Sequence, residues 1–121
     1  MLRDRLGEIA DELAVSDRIR KKILIVADEV FTNIVRYAYS SGGGTVDIFV
    51  EYDENTNRLV MTFSDSGVPF NPLEVPEPVL DQSVQERPIG GLGIHLVRQF
   101  ADTMEYRREN DRNILVLRIH L

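Results

Sequence analysis

Three short groups of residues have the types and spacing for chemistry. In Asp28-Glu29-Val30-Phe31-Thr32-Asn33, Glu29 and Asn33 stand four apart, so on a helix both project from one face. At about 100° per residue the pair borders the apolar stripe Val26, Val30 and Ile34. A carboxylate there could orient a nucleophile, and an amide oxygen could ligate a hard cation such as Mg²⁺. The same pair is equally at home on a solvated helix face. The second group is Phe63-Ser64-Asp65-Ser66-Gly67-Val68-Pro69-Phe70. Alternation puts Leu59, Met61 and Phe63 inward, and Asp65 is the next residue on that face. An inward carboxylate is costly unless something donates hydrogen bonds to it. An adenine amino group could be that donor, and Gly67 would let a flat base approach the backbone. A plain Asp-Ser-Gly turn is the competing reading. The third group, Gly90-Gly91-Leu92-Gly93-Ile94, opens a predicted helix, where backbone N–H groups and the helix dipole favour an anion. A simple hinge would use the same glycines. The run matches neither the dinucleotide fingerprint nor a P-loop, which needs Lys-Ser or Lys-Thr after its second glycine.

The elements that must position these groups follow from apolar spacing. Leu2, Leu6, Ile9 and Leu13 predict a helix over 2–13. Ser16 is a suitable N-cap for a long helix from Asp17 to about Tyr39, which the glycines at 42–44 then stop. Strands are predicted over Thr45–Glu51, Arg58–Asp65, about Met104–Glu109 and Ile114–Leu121, with a helix from about Leu92 to Thr103. Tight turns are expected at Asn55-Thr56-Asn57 and Asn110-Asp111-Arg112. Grouped helices and turn-linked strands point to an α+β two-layer sandwich. Residues Asn71 to Ile89 lack periodicity and hold four of the five prolines, as a lid or a dispensable insertion would. With four acids and one base, that stretch is unsuited to holding phosphates itself. His95 reads as a helix-surface residue, and His120 as solvated beside Arg118.

Composition narrows the function classes. The 121 residues fit one domain, 1–121. No cysteine is present, which excludes disulfides and thiol catalysis, and two distant histidines make a zinc site unsuited. The longest uncharged apolar stretch, Ile23 to Ala27, is far too short to cross a bilayer, and no secretory leader opens the chain. A net charge of −6 argues against non-specific nucleic-acid or membrane binding and permits a basic protein partner. A cytoplasmic location is expected.

Taken in order, the three groups resemble the ATP-binding boxes of the GHKL superfamily of gyrases, histidine kinases and MutL proteins. The runs DEVFTNIVRYAY, DSGVPFNP and GGLGIHLVRQFAD are most similar to the anti-sigma-factor serine/threonine kinases of bacteria. The resemblance runs from about Ser16 to the end of the sequence. It implies the Bergerat ATP-binding fold, a two-layer α/β sandwich with helices on one face of a mixed, mainly antiparallel sheet. It implies ATP and Mg²⁺ as cofactors, with Glu29 as general base and Asn33 as the metal ligand. Asp65 would bind the adenine amino group and Gly67 would line the base. Gly91 and Gly93 would meet the phosphates beneath a lid at about 71–89, and Arg36, Val68, Phe70, Gly90, Leu92 and Ile94 would complete the nucleotide surround. The implied activity is phosphorylation of a STAS-domain antagonist by a homodimeric kinase that also sequesters a sigma factor, without nucleic-acid or membrane binding. An ATP-gated binding switch and a GHKL ATPase domain of a larger protein are the alternatives. Histidine kinases typically carry Asn at the position of Glu29, whereas a Glu suits activation of a hydroxyl or a water. The sequence departs from the family pattern in three places. It starts almost at the first helix, where members usually have a strand. Tyr37 stands where relatives commonly have His, and Asn113 where many place an adenine-contacting Thr.

Overall fold

The computed structural model describes residues 2–39, 42–74 and 91–121. Helix α1 spans Leu2–Glu12 and α2 spans Asp17–Asn33, joined through Ala14 in the left-handed region at φ 53°. Ser16 caps α2 by accepting from the Ile19 backbone N–H at 3.2 Å, satisfying one of the donors a helix start leaves open. Gly7 permits close contact between the helices. Its carbonyl accepts from Arg20 at 3.3 Å, and Arg20 also pairs with Asp11. The predicted long helix continues to Ala38, but Ile34–Ala38 is a π segment, in which Tyr39 N–H reaches back to the Ile34 carbonyl at 3.3 Å.

The strands are β1 (Val46–Asp53), β2 (Arg58–Asp65), β3 (Thr103–Glu109) and β4 (Arg112–His120), in the order β1-β2-β4-β3. All three pairings are antiparallel, so among the described residues the sheet is not the mixed one expected. Asn57 turns the first hairpin at φ 52°, while Asp53 accepts from Asn55 N–H at 3.0 Å and Thr56 Oγ1 at 2.9 Å. Asn110 and Asp111, both at positive φ, form the two-residue turn of β3–β4, so Arg112 belongs to the strand rather than the turn. Helix α3 runs Gly91–Phe100, a shorter reach than predicted, because Asp102 leaves the helix to donate its backbone N–H to the Arg118 carbonyl.

One face of the sheet carries Leu59, Met61, Phe63, Leu115, Leu117 and Ile119, which pack on Leu6, Ile23, Val26, Val30 and Val97. This makes the expected α+β two-layer sandwich, with the helices on one face. The stretch expected to be structureless begins with structure. Pro72–Glu74 is a 3-10 turn, held by Asn71 Oδ1 accepting from Leu73 N–H at 2.9 Å and by Arg98 donating to the Leu73 carbonyl at 2.6 Å. The rest of the expected lid, 75–89, and Gly90 lie outside the described residues.

Core and outer face should respond oppositely to substitution. Leu117 is 0% exposed, so Leu117→Ala is expected to cost about 2–5 kcal/mol. Phe49, 58% exposed on the outer face, should tolerate Ser within about 0.5 kcal/mol. Urea unfolding of both variants measures this, and equal losses would contradict the one-sided core.

Candidate active site

Asp65 ends β2 on the inner face, 2% exposed, as alternation required. Two protein donors meet its Oδ1: the Gly67 backbone N–H at 3.0 Å and Asn113 Nδ2 at 2.9 Å. The sheet register makes that second bond possible, since Asp65 and Asn113 are direct cross-strand partners. Asn113 is itself buried and uses its whole amide. Nδ2 also donates to the Val68 carbonyl at 2.8 Å, while Oδ1 accepts from Phe70 N–H at 3.1 Å and Tyr106 Oη–H at 2.6 Å. Because Phe70 N–H can only donate, the amide has one consistent orientation. Asn113 thus holds the carboxylate and the chain following it in one network. The inward series Leu115, Leu117, Ile119 extends back to Asn113, so alternation carried one step further would have flagged this residue.

Gly67 lies against the end of the α2 segment. A Cβ there would strike the Ala38 carbonyl oxygen, which already accepts from Val68 N–H at 3.0 Å. Arg108 donates to the Gly67 carbonyl at 2.8 Å from the opposite side. Tyr37 stacks on Phe70, ring centroids 5.0 Å apart. Tyr39 accepts at its hydroxyl from Ser66 N–H at 2.9 Å and donates to the Thr45 carbonyl at 2.7 Å. Tyr39, Tyr106, Arg98 and Arg108 escaped the sequence reading because no spacing rule marks them, and Tyr37 is marked there only as a departure from the family pattern.

One to three turns earlier on α2, Glu29 and Asn33 face Gly93. A Cβ at Gly93 would collide with Glu29 Oε2 and lie 3.6 Å from Asn33 Nδ2. Asn33 is 2% exposed and donates Nδ2 to the Glu29 carbonyl at 2.7 Å. Its Oδ1 is buried without a hydrogen-bond partner. An orphaned buried acceptor is costly, and a cation or donor at that point relieves it. A hard oxygen of this kind fits Mg²⁺. Among the described residues no cluster of three or more His, Cys, Asp or Glu could hold a metal alone, so a cation here would need oxygens from another source, such as phosphates.

The structure therefore brings Glu29, Asn33 and Gly93 together at one station, and Asp65, Gly67 and Phe70 at another. Gly91 and Leu92 form the first turn of α3. Ile94 is 0% exposed, and its side chain seats α3 on the core. The Val68 side chain is exposed and its backbone makes the contacts just described. Arg36 is exposed beside Phe31, Thr32 and Val35. His95 is half-buried rather than on the surface, with Nε2 3.2 Å from Gln99 Nε2 and Nδ1 buried without a partner.

Replacing Asn113 by Leu would strip partners from the Asp65 carboxylate, the Val68 carbonyl, Phe70 N–H and the Tyr106 hydroxyl. At about 1–3 kcal/mol for each buried group left unpaired, a loss of at least about 3 kcal/mol is expected. Denaturant unfolding tests it; a loss below about 1 kcal/mol would show the network to be incidental.

Comparison with known proteins identifies the family. Residues 1–119 match the family model described as the histidine kinase-like ATPase domain. The serine/threonine-protein kinase BtrW of Bordetella bronchiseptica is 29% identical over 105 residues, covering 87% of this chain and 73% of that protein. The serine-protein kinase RsbW of Bacillus mycoides is 24% identical over 120 residues, covering 96% and 74%. Among solved structures, the histidine kinase AdeS of Acinetobacter baumannii superposes with a TM-score of 0.57 at 16% identity, over 84% of this chain and 46% of that one. No helix among the described residues is long and apolar enough to cross a membrane. The chain belongs to the histidine kinase-like ATPase domain family, with kinases among its relatives.

Proposed function

We propose that the chain is a Mg²⁺-ATP-dependent protein serine/threonine kinase of the anti-sigma-factor type. In this reading it binds a sigma factor and phosphorylates the STAS-domain antagonist of that factor, as a cytoplasmic homodimer. The observation that carries the kinase reading is that Glu29 Oε2 and Asn33 Nδ2 both face Gly93 at α3, while Asn33 Oδ1 is buried and unpartnered. The kinase names of the relatives at 29% and 24% identity support it, and the anti-sigma element rests on the resemblance of the three boxes.

The residues divide the work along α2. Asp65, fixed at Oδ1 by Gly67 and Asn113, offers acceptor capacity to an adenine amino group. Glu29 and Ala38, nine residues apart, bracket roughly 13 Å of helix at 1.5 Å per residue, the scale of a nucleotide laid along it. The backbone N–H groups of Gly91, Leu92 and Gly93, at the start of α3, suit phosphate oxygens. Asn33 would hold Mg²⁺, which when bound neutralises charge on the β- and γ-phosphates. Glu29 takes the proton from a serine or threonine hydroxyl as its oxygen bonds to the γ-phosphorus. The bond from that phosphorus to the bridging oxygen breaks, and ADP leaves with the electron pair. Most of the acceleration comes from positioning and charge neutralisation.

Adenine recognition is separable from folding. Asp65→Asn can retain an oxygen for Gly67 N–H and Asn113, yet it puts a donor where the base needs an acceptor. Mg²⁺-ATP should raise the melting temperature of the parent through mass action and lose most of that effect in the variant. An undiminished thermal shift would remove Asp65 from the nucleotide site.

Catalysis separates from binding at Glu29. Glu29→Ala should slow phosphoryl transfer by about 10² to 10⁴ with ATP affinity nearly intact, because the base acts on the nucleophile. Asn33→Ala should weaken both Mg²⁺-dependent binding and turnover. Labelled ATP with the co-encoded antagonist, scored for phosphoserine or phosphothreonine, is the assay. Transfer by Glu29→Ala at the parental rate would rule out this mechanism.

A further inference from the structure

The inner stripe of α2 is buried, but its outward side is covered by nothing among the described residues. Ile25, Phe31 and Val35 are 38%, 40% and 47% exposed there. Single exposed apolar residues are ordinary, whereas apolar residues lining a hollow rimmed by cations mark an interaction site; Ile25 and Phe31, about 120° apart on the helix, belong to separate hollows. Arg18, Lys21, Lys22, Ile25 and Phe100 line one hollow of about 390 Å³, and Phe31, Thr32, Val35 and Arg36 line another of about 350 Å³.

The charge around these hollows runs against that of the molecule. The chain carries −6, yet Arg18, Lys21 and Lys22 crowd one end of this face and Arg36 the other. Among the described residues none of the four forms an ion pair. Lys22 Nζ lies 5.8 Å from the Phe100 ring centroid. Of the neighbouring acids, Asp28 is 3.5 Å from Arg3, and Asp17 sits in the first turn, where the helix dipole already favours it. Beyond about 8 Å salt screens the overall negative charge, so the local cations govern close approach. Cations around apolar hollows complement carboxylates flanking aliphatic side chains. The apolar linings distinguish this from a phosphate-tracking surface.

We propose that this face of α2 docks the phosphate-accepting protein through an acidic amphipathic element. Its carboxylates meet Arg18, Lys21 and Lys22, and its apolar ridge enters the hollow beside Ile25 and Phe100. Glu29 follows Ile25 by one turn and Lys22 by two, about 10 Å along the axis. A partner gripped by the basic end therefore presents its hydroxyl to Glu29. The proposal rests on the kinase reading for the identity of that partner, but the docking itself does not require transfer.

The test uses the full chain with Mg²⁺-ADP and a fluorescein-labelled amphipathic peptide of Glu and Leu, with a serine about 10 Å beyond its last Glu. Anisotropy should show salt-sensitive binding that weakens at least about tenfold in the triple variant Arg18→Glu, Lys21→Glu, Lys22→Glu, a step of about 1.4 kcal/mol. Ile25→Ser should weaken it in a salt-insensitive way. The Mg²⁺-ATP thermal shift should be unchanged in both variants, which verifies their folding. Equal affinity in the triple variant would overturn the proposal. So would equal binding of a peptide with Lys for Glu, or preferential binding of phosphatidylserine vesicles or single-stranded DNA. If binding follows the expected pattern but labelled ATP leaves no phosphate on the serine or on the co-encoded antagonist, the docking surface stands and the kinase reading fails.

Discussion

A buried carboxylate is costly unless it is hydrogen-bonded, and the architecture around Asp65 answers that demand. Asn113 and Gly67 N–H supply the bonds, and Asn113 is available only because β2 and β4 pair with Asp65 directly opposite it. A slip of one residue between these strands would turn Asn113 outward and leave the carboxylate uncompensated. The site therefore enforces the register of the central ladder, while the Leu59, Met61, Phe63 and Leu117 core enforces it through burial. Both demands select the same pairing, the kind of agreement between levels that makes a fold unique.

The remainder of the site is attached to this centre through the end of α2. The π segment at Ile34–Ala38 alters the carbonyl pattern, and the Ala38 carbonyl accepts from Val68 N–H outside the helix. Tyr39 then ties the helix end to Ser66 and Thr45, and Tyr37 stacks on Phe70. Single-turn π segments are frequent at functional sites, and the Ala38 carbonyl, in the last turn, is free for a partner outside the helix. The helix carrying Glu29 and Asn33 is thereby joined at one end to the Asp65 loop. Further back it meets α3, where Gly93 leaves room for the Glu29 carboxylate.

The two sides of α2 serve different ends. Inward, Ile23, Val26, Val30 and Ile34 stabilise the sandwich; at the rim, Glu29 and Asn33 face Gly93, where the proposed chemistry lies; outward, Ile25 lies in a hollow with Arg18, Lys21 and Lys22. In the proposed reading, one rigid helix would keep a docked protein and a bound nucleotide in fixed relation. Positioning of that kind is what phosphoryl transfer chiefly needs.

Local spacing was sufficient for much of this. Period-two alternation placed β2 over Arg58–Asp65 and turned Asp65 inward, and period 3.6 placed Glu29 and Asn33 together on α2. The ends of α2 and α3 and the turn at Arg112 were less legible, because hydrogen bonds to distant strands and loops decide where a helix or turn stops. The order β1-β2-β4-β3 and the purely antiparallel pairing likewise depend on which faces can be buried together. Asn113 shows the division best. Its type and position were plain in the sequence, where it was only a departure from the family's Thr. Its role as the partner of Asp65, Val68, Phe70 and Tyr106 arises because folding brings together residues up to 48 positions apart, and no local pattern records such a meeting.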